Sequence, residues 1–326
     1  MFNNFDNIIK KIKKSKNVFI VGHKNLDLDA LGASIGVGAL CKTYKKEFYI
    51  VIDDSKNDES IDKALNYFCN NNLTYKIGKY KDFSEKICDE SLLVIVDTYS
   101  EKRIQNTKLL TINNKLIIDH HLFGKPLNET YYIDANMSSA CEILATILKK
   151  KKININKYVA TVILSGILID TNSYSIKTAK NTFDMASYLI LNKADNSIAH
   201  SFNKTKLSEY KQIQEIIFKT EFHNKTIAIN VINKDKIISK SDLAKIADTL
   251  IQFESVEACF VIGFIGKNKI GMSARSVKIN VGKIMTDFNG GGRKSSAATE
   301  IEGEDLNLIK RQLLEELDEN YIVKRR

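Results

Sequence analysis

The chain has 326 residues, 44% hydrophobic and 27% charged; this is too long for one ordinary hydrophobic core and fits a soluble globular protein of two domains. No apolar run reaches the roughly 18 residues needed to span a bilayer, and the five cysteines are scattered without a CxxC pair, which argues against a zinc knuckle or a disulfide framework and points to a reducing cytoplasm. The formal net charge of +10 fits either a lysine-rich surface or an anionic ligand such as a nucleotide, but no block of lysines interleaves with aromatic residues, so a long nucleic-acid partner is not expected.

The first segment, "MFNNFDNIIKKIKKSKN", places Phe2, Phe5, Ile8, Ile9 and Ile12 at helical spacing and reads as a packing helix, since it lacks the apolar core of a signal peptide. Four short apolar runs follow: "VFIVG" (18–22), "FYIVI" (48–52), "LLVIVD" (92–97) and "KLIIDH" (115–120). Runs of this kind are strands of a parallel sheet buried on both faces. Helical patterns separate them, as in residues 29–46, and two more helices are expected at 138–151 and 157–171. The alternation predicts a doubly wound, mostly parallel α/β domain. A polar connecting helix is expected near 196–220. A second, smaller α/β domain then runs from "KTIAINVI" (225–232) through "VEACFVIGFI" and "KIGMSARS" to a glycine turn at 290–292. The expected division is 1–195, a linker helix at 196–222, and 223–326.

In open α/β sheets, functional groups collect at the carboxyl ends of strands. His23 follows "VFIVG", Asp97 ends "LLVIVD", Asp119, His120 and His121 close "KLIID", and Asp170 ends "ILSGILID". One terminal Asp is ordinarily a helix cap, but four apolar segments ending only in His and Asp are hard to explain as caps. Carboxylates suit hard divalent cations, and imidazole adds affinity for first-row transition ions. A mixed His/Asp set without Cys suits Mn²⁺, with Mg²⁺ or Co²⁺ as alternatives. The set exceeds what one open catalytic ion needs and matches two ions bridged by a carboxylate, an arrangement suited to displacement at phosphorus. In the stretch H-x-x-x-D-x-D, His23 and Asp27 can reach one ion while Asp29 reaches the other. The small residues Ala30, Gly32, Ala33 and Ser34 are expected to let a helix approach the sheet closely.

"GHKNLDLDALGAS", "VIVDT", "IIDHH" and "GILIDT" resemble the four metal motifs of the DHH phosphoesterase family. "MSARS" with "NGGGRKSSAAT" resembles the DHHA1 substrate-binding domain that follows it. The resemblance covers residues about 17–302. It implies two metal ions held by His23, Asp27, Asp29, Asp97, His120 and Asp170, with Asp97 bridging and catalytic. It also implies that His121 contacts the scissile phosphate or leaving group, and that Arg275, Gly290, Gly291, Gly292 and Arg293 hold substrate. Asp119 is read as an acceptor that orients the neighbouring imidazoles. Arg293 departs from the pattern, since the family carries His after its glycine run. The motif "NLDLDALGAS" is closer to the cyclic di-AMP phosphodiesterase subgroup than to the oligonucleotide and pAp hydrolases, whose first motif is "PDGDALGS"-like. The resemblance therefore implies Mn²⁺-dependent opening of cyclic di-AMP to linear 5′-pApA. The alternatives are an oligoribonuclease or pAp phosphatase of the same family, and a catalytically dead nucleotide-binding regulator, against which the full ligand set speaks. The chain reads as a stand-alone soluble form or as a piece cut from a longer membrane-anchored protein, with a homodimer left open.

Overall fold

The computed structural model describes residues 5–53, 58–72, 74–121, 130–204, 206–233, 236–303 and 305–322. Phe2, expected on the apolar face of the first helix, lies outside them. The chain forms two compact units, Met1–Lys204 and Thr205–Arg326.

In chain order the first unit contains α1 (Phe5–Lys14), β1 (Asn17–Val21), α2 (Leu28–Thr43), β2 (Glu47–Val51), α3 (Glu59–Cys69), β3 (Lys76–Gly78), α4 (Tyr80–Phe83), β4 (Leu92–Val96), β5 (Asn114–Asp119) and β6 (Thr130–Ile133). It continues with α5 (Ala140–Lys150), α6 (Lys157–Asp170), α7 (Lys180–Leu191) and α8 (Asn196–Phe202). Among the described residues the strands form one sheet in the order β3-β2-β1-β4-β5-β6, and every neighbouring pair is parallel. The four apolar runs are its interior strands. The edge strands β3 and β6 are only three and four residues long.

Side chains alternate between two apolar layers, as the period of a strand requires. Val18, Ile20, Val94 and Ile118 pack with α1, α2, α5 and α6. Phe19, Val21, Leu93, Ile95 and Ile117 face the other way, covered by Ile104, Leu109, Ile112 and the rings of α4. Burial on both faces is why β1 and β4 read as unbroken hydrophobic runs.

The small-residue run after Asp29 serves both contacts: Ala30 lies against the end of β1, where a Cβ on Gly22 would come 3.1 Å from its Cβ, whereas Gly32 serves helix–helix contact. A Cβ on Gly32 would lie 2.5 Å from Cys141 Sγ of α5 and 2.9 Å from the Val162 carbonyl of α6. Across the same contact, a Cβ on Gly166 would lie 2.9 Å from the Asp29 Cα. Glycine at both positions lets α6 and α5 press against the first turn of α2.

The second unit contains α9 (Leu207–Ile217), β7 (Glu221–His223), β8 (Ile227–Val231), α10 (Lys240–Leu250), β9 (Ala258–Gly266), β10 (Lys269–Ser276), α11 (Val281–Asp287), β11 (Gly291–Gly292), β12 (Ser296–Glu302) and α12 (Leu306–Leu317). Its sheet runs β11-β12-β10-β9-β8-β7; β8 and β9 are parallel, and the other pairs are antiparallel. One face packs on α10 and the end of α9, the other on α11 and α12.

The single polar helix expected at 196–220 is two helices. Ala199 and Phe202 of α8 are buried in the first unit's core. Ile213, Ile216 and Ile217 of α9 pack in the second unit. Among the described residues no helix is long and apolar enough to cross a membrane.

Candidate functional site

The strand order reverses direction between β1 and β4. Connections leave in opposite senses there, opening a crevice beyond the strand ends where ligands bind in α/β sheets. His23 stands just past β1 and Asp97 directly after β4. Asp97 has φ +57, a left-handed conformation that a non-glycine residue adopts only when its surroundings enforce it. From that turn its carboxylate meets imidazoles on both sides. Oδ2 is 3.2 Å from His23 Nε2; Oδ1 is 3.3 Å from His120 Nε2 and 3.5 Å from His121 Nδ1.

Three overlapping groups of side chains have the spacing of metal ligands. They are His23, Asp27 and Asp97; Asp29, His120 and Asp170; and Asp97, Asp119, His120 and His121, with ligand atoms inside each group within 4.8 Å of one another. The local structure explains how each arrives. Asp27 caps α2, accepting from the Ala30 amide at 2.9 Å, and its other oxygen lies 3.4 Å from His23 Nε2. The His23 Nδ1–H donates to the Lys24 carbonyl at 2.8 Å, which aims Nε2 at the acids. Asp29 is fully buried. Its two oxygens accept from the first amides of α5, Ala140 at 2.7 Å and Cys141 at 2.8 Å, while Oδ2 stays 3.8 Å from His120 Nε2. The neighbouring thiol does not face the site, since Cys141 Sγ donates to the Asp29 carbonyl.

Asp170 is the last residue of α6, in the segment 157–171 expected as a helix, so it arrives from a helix C-terminus where His23, Asp97 and the Asp119–His121 group follow strands. A carboxylate at a helix C-terminus opposes the helix dipole, so its neighbours must compensate: His120 Nε2 is 3.3 Å away and Lys177 Nζ 3.7 Å away. Asp119 Oδ1 accepts from the amides of His120 and His121 and from His121 Nδ1–H at 2.8 Å. Among the imidazoles it therefore orients the ring of His121, which is partly open to solvent, rather than that of His120.

The electrostatics show an excess of negative charge. Burial opposes charging of His23, yet Asp27 and Asp97 push its pKa up to about 11. Burial likewise opposes His120, but Asp97, Asp29 and Asp170 raise it to about 9. Burial and the neighbouring acids push Asp170 up to about 6 and lift Asp29 well above the usual carboxylate range. Burial works the same way on Asp97, but His120 and His23 overcome it and hold that carboxyl well below the usual range. Three buried atoms of these groups, Asp97 Oδ1, Asp119 Oδ2 and His120 Nε2, make no hydrogen bond of acceptable geometry. Buried polar atoms are ordinarily paired. Orphaned ligand atoms, surplus carboxylate charge and a donor set of oxygen and imidazole together fit divalent cations.

Within the second unit, Arg275 and Gly290–Gly292 line one cavity of about 620 Å³, with Lys240, Ser273 and Glu300 among the polar groups and Leu243, Ile265 and Met272 as apolar wall. Arg275 Nε and Nη2 donate to the two oxygens of Asp248 at 2.6 and 3.3 Å. Its Nη1 donates to Ser273 Oγ and the Ala274 carbonyl. The three glycines differ in their reason for being glycine. A Cβ on Gly292, where φ is +152, would come within 2.4 Å of the Ala297 Cα, whereas a Cβ on Gly291 would meet nothing within 4 Å. Gly292 is required by the turn; Gly291 leaves its backbone open toward the cavity. Arg293 is exposed and is not among the residues lining it.

Several functional features escaped the sequence: the α5 amides on Asp29, Lys177 beside Asp170, and Asp248 on Arg275. Of these, only the start of α5 left a local signal, the capping pattern S-x-x-E at Ser139 and Glu142.

Comparison with known proteins accounts for most of the chain. Residues 17–167 match the DHH family, N-terminal domain, and residues 224–319 match the DHHA1 domain. The chain is 31% identical over 317 residues to the cyclic-di-AMP phosphodiesterase PdeA of Listeria monocytogenes serotype 1/2a (strain 10403S), covering 94% of this chain and 48% of that protein. It therefore spans about half the length of that relative. It is 26% identical over 325 residues to the probable bifunctional oligoribonuclease and PAP phosphatase NrnA of Streptococcus mutans serotype c (strain ATCC 700610 / UA159), covering 94% of this chain and 99% of that protein. Its fold is similar to the crystal structure of an exopolyphosphatase-related protein from Bacteroides fragilis, with a TM-score of 0.80 at 20% identity over 96% of each chain. With the His/Asp cluster in the first unit and both domains matched in order along the chain, the chain belongs to the DHH family, its DHH domain followed by a DHHA1 domain.

Proposed function

We propose that the chain is a phosphodiesterase that opens cyclic di-AMP to linear 5′-pApA. Water adds across one P–O3′ bond; the new bond is P–OH, and the 3′ oxygen leaves with a proton. The observation that carries this reading is the placement of Asp97, whose two oxygens face two different ligand groups. His23, Asp27 and Asp97 would hold one Mn²⁺, and Asp97, Asp29, His120 and Asp170 a second. Bound there, the ions would neutralise phosphoryl charge and acidify water. His121 has its Nδ1–H engaged by Asp119, so its Nε2 is the nitrogen that would meet a phosphoryl or leaving oxygen. Arg275 and Gly290–Gly292 would hold the nucleotide, with Arg293 offering a further cation next in the chain. The first unit is taken as the catalytic domain and the second as the substrate-binding domain, the connection expected at 196–222 being divided between them.

The higher identity to the relative named for cyclic di-AMP supports the cyclic substrate. A second reading, cleavage of short oligoribonucleotides or pAp, is favoured by the match to NrnA along nearly its whole length. One assay separates them. The purified chain is offered cyclic di-AMP, pApA and pAp side by side with Mn²⁺, Mg²⁺ or Co²⁺. Preferential conversion of cyclic di-AMP to pApA supports the first reading, and faster loss of pApA or pAp supports the second. A protein that binds nucleotide without metal-dependent turnover of any of the three is a regulator.

A further inference from the structure

We infer that Glu142 is a positioning residue for the metal centre, fixing the α5 turn whose amides hold Asp29; this rests on the metal-centre reading above.

Glu142 is fully buried. Its Oε2 accepts from the Ser138 amide at 3.0 Å, from Ser138 Oγ and from Thr182 Oγ1 at 2.9 Å. Its Oε1 accepts from Asn181 Nδ2 at 2.7 Å. These donors are all uncharged, and taking a carboxylate out of water on such terms is costly. Helix capping alone does not require it, because Ser139 Oγ already caps α5 by accepting from the Glu142 amide at 3.0 Å. The carboxylate does what a cap does not: it ties the Ser138 turn and the start of α5 to the start of α7.

Both tied elements lead directly to proposed ligands. The amides of Ala140 and Cys141, one turn from the Glu142 carboxylate, each hold one oxygen of Asp29. A tilt of that turn would carry Asp29 away from His120 and Asp170, its partners in one ligand group. On the other side, α7 begins after the segment that leaves Asp170. Within it Asn172, Ser173, Tyr174 and Lys177 have φ of 44, 53, 69 and 53, a run of left-handed residues that persists only when its ends are held. Thr182 and Asn181, bonded to Glu142, are its downstream anchor. Two ligands of one group, Asp29 and Asp170, are thus flanked by elements that meet at one buried carboxylate.

The test is Mn²⁺ titration by calorimetry on wild type, Glu142→Gln and Asp97→Ala, with melting temperature and steady-state kinetics on the same samples. Gln keeps the volume and an acceptor for Ser138. Supporting partners of this kind are worth roughly 10–100-fold in metal affinity, and Glu142→Gln is expected to lose that much for at least one ion. Its kcat should fall while KM for cyclic di-AMP stays near wild type. A variant that melts earlier but binds Mn²⁺ as wild type does would show a purely structural role and overturn the inference, leaving the metal-centre reading intact. A folded wild type that binds no Mn²⁺, or an Asp97→Ala that binds it normally, would overturn the metal-centre reading and this inference with it. Should Glu142→Gln fail to fold, Thr182→Val removes one donor only; unchanged affinity there overturns the inference equally.

Discussion

His23 Nε2 lies 3.2 Å from Asp97 Oδ2, and both groups are buried. With Asp27 beside it, the imidazole holds its proton up to about pH 11, and His120 does so up to about pH 9. An imidazole must lose that proton to bind metal. Mn²⁺ binding near pH 7.5 is therefore expected to release about two protons, one from each ring, and to weaken as the pH falls. Calorimetry in buffers of different ionisation enthalpy measures the release. In EDTA the linkage has a definite sign: both folded-state values exceed the unfolded value near 6.5, so these two rings bind more protons in the folded chain from that value up to about 9 for His120 and about 11 for His23. The contribution of the two imidazoles to stability is thus full below pH 6.5 and falls as pH rises, until about 9 for His120 and about 11 for His23. Melting curves from pH 6 to 9 should show the decline, with Mn²⁺ restoring most at the alkaline end.

Asp97 combines a functional carboxylate with φ +57. Asn tolerates that conformation better than Ala does. Asp97→Ala is expected to cost about 1–3 kcal/mol in stability and Asp97→Asn less, while both abolish turnover. Turnover near the wild-type rate in either variant would remove Asp97 from the centre of the site.

Gly166 sits where α6 meets Asp29. An added methyl would lie 2.3 Å from Cys141 Sγ and 2.9 Å from the Leu28 carbonyl, so α6 must shift. Gly166→Ala should cost about 1–3 kcal/mol by overpacking and weaken Mn²⁺ binding along with it. Gly303→Ala, with nothing within 4 Å of its Cβ, is the control expected to leave metal binding unchanged. Equal behaviour of the two variants would mean that the helix contact does not set Asp29.

In the second unit the glycines separate folding from binding. Gly292→Ala should destabilise the unit, because the methyl meets the Ala297 backbone. Gly291→Ala should melt as wild type does, because its methyl meets nothing within 4 Å, yet raise KM, because Gly291 lines the cavity. Arg275→Ala loses a charged hydrogen-bonding group worth about 1.5–3 kcal/mol, or roughly tenfold to a hundredfold in kcat/KM, with Mn²⁺ affinity unchanged. A fall in metal affinity for Arg275→Ala would end the assignment of this cavity to substrate.

The sequence by itself determined the interior strands β1, β2, β4 and β5 and the imidazoles and acids at their ends. Double-sided burial writes unbroken apolar runs, and a strand end places the next residue at the sheet edge whatever the rest of the chain does. His23, Asp97, Asp119, His120 and His121 were legible for that reason. Only the tertiary structure decided the rest. The end of the helix expected at 157–171 converges with the strand ends so that Asp170 lies beside His120, Asp29 is held by amides more than a hundred residues away in α5, and Gly32 faces α5 and α6. Segment 196–220 divides because Phe202 and Ile217 are buried in different cores. Each of these depends on where distant elements pack, and packing of that range leaves no periodic trace along the chain.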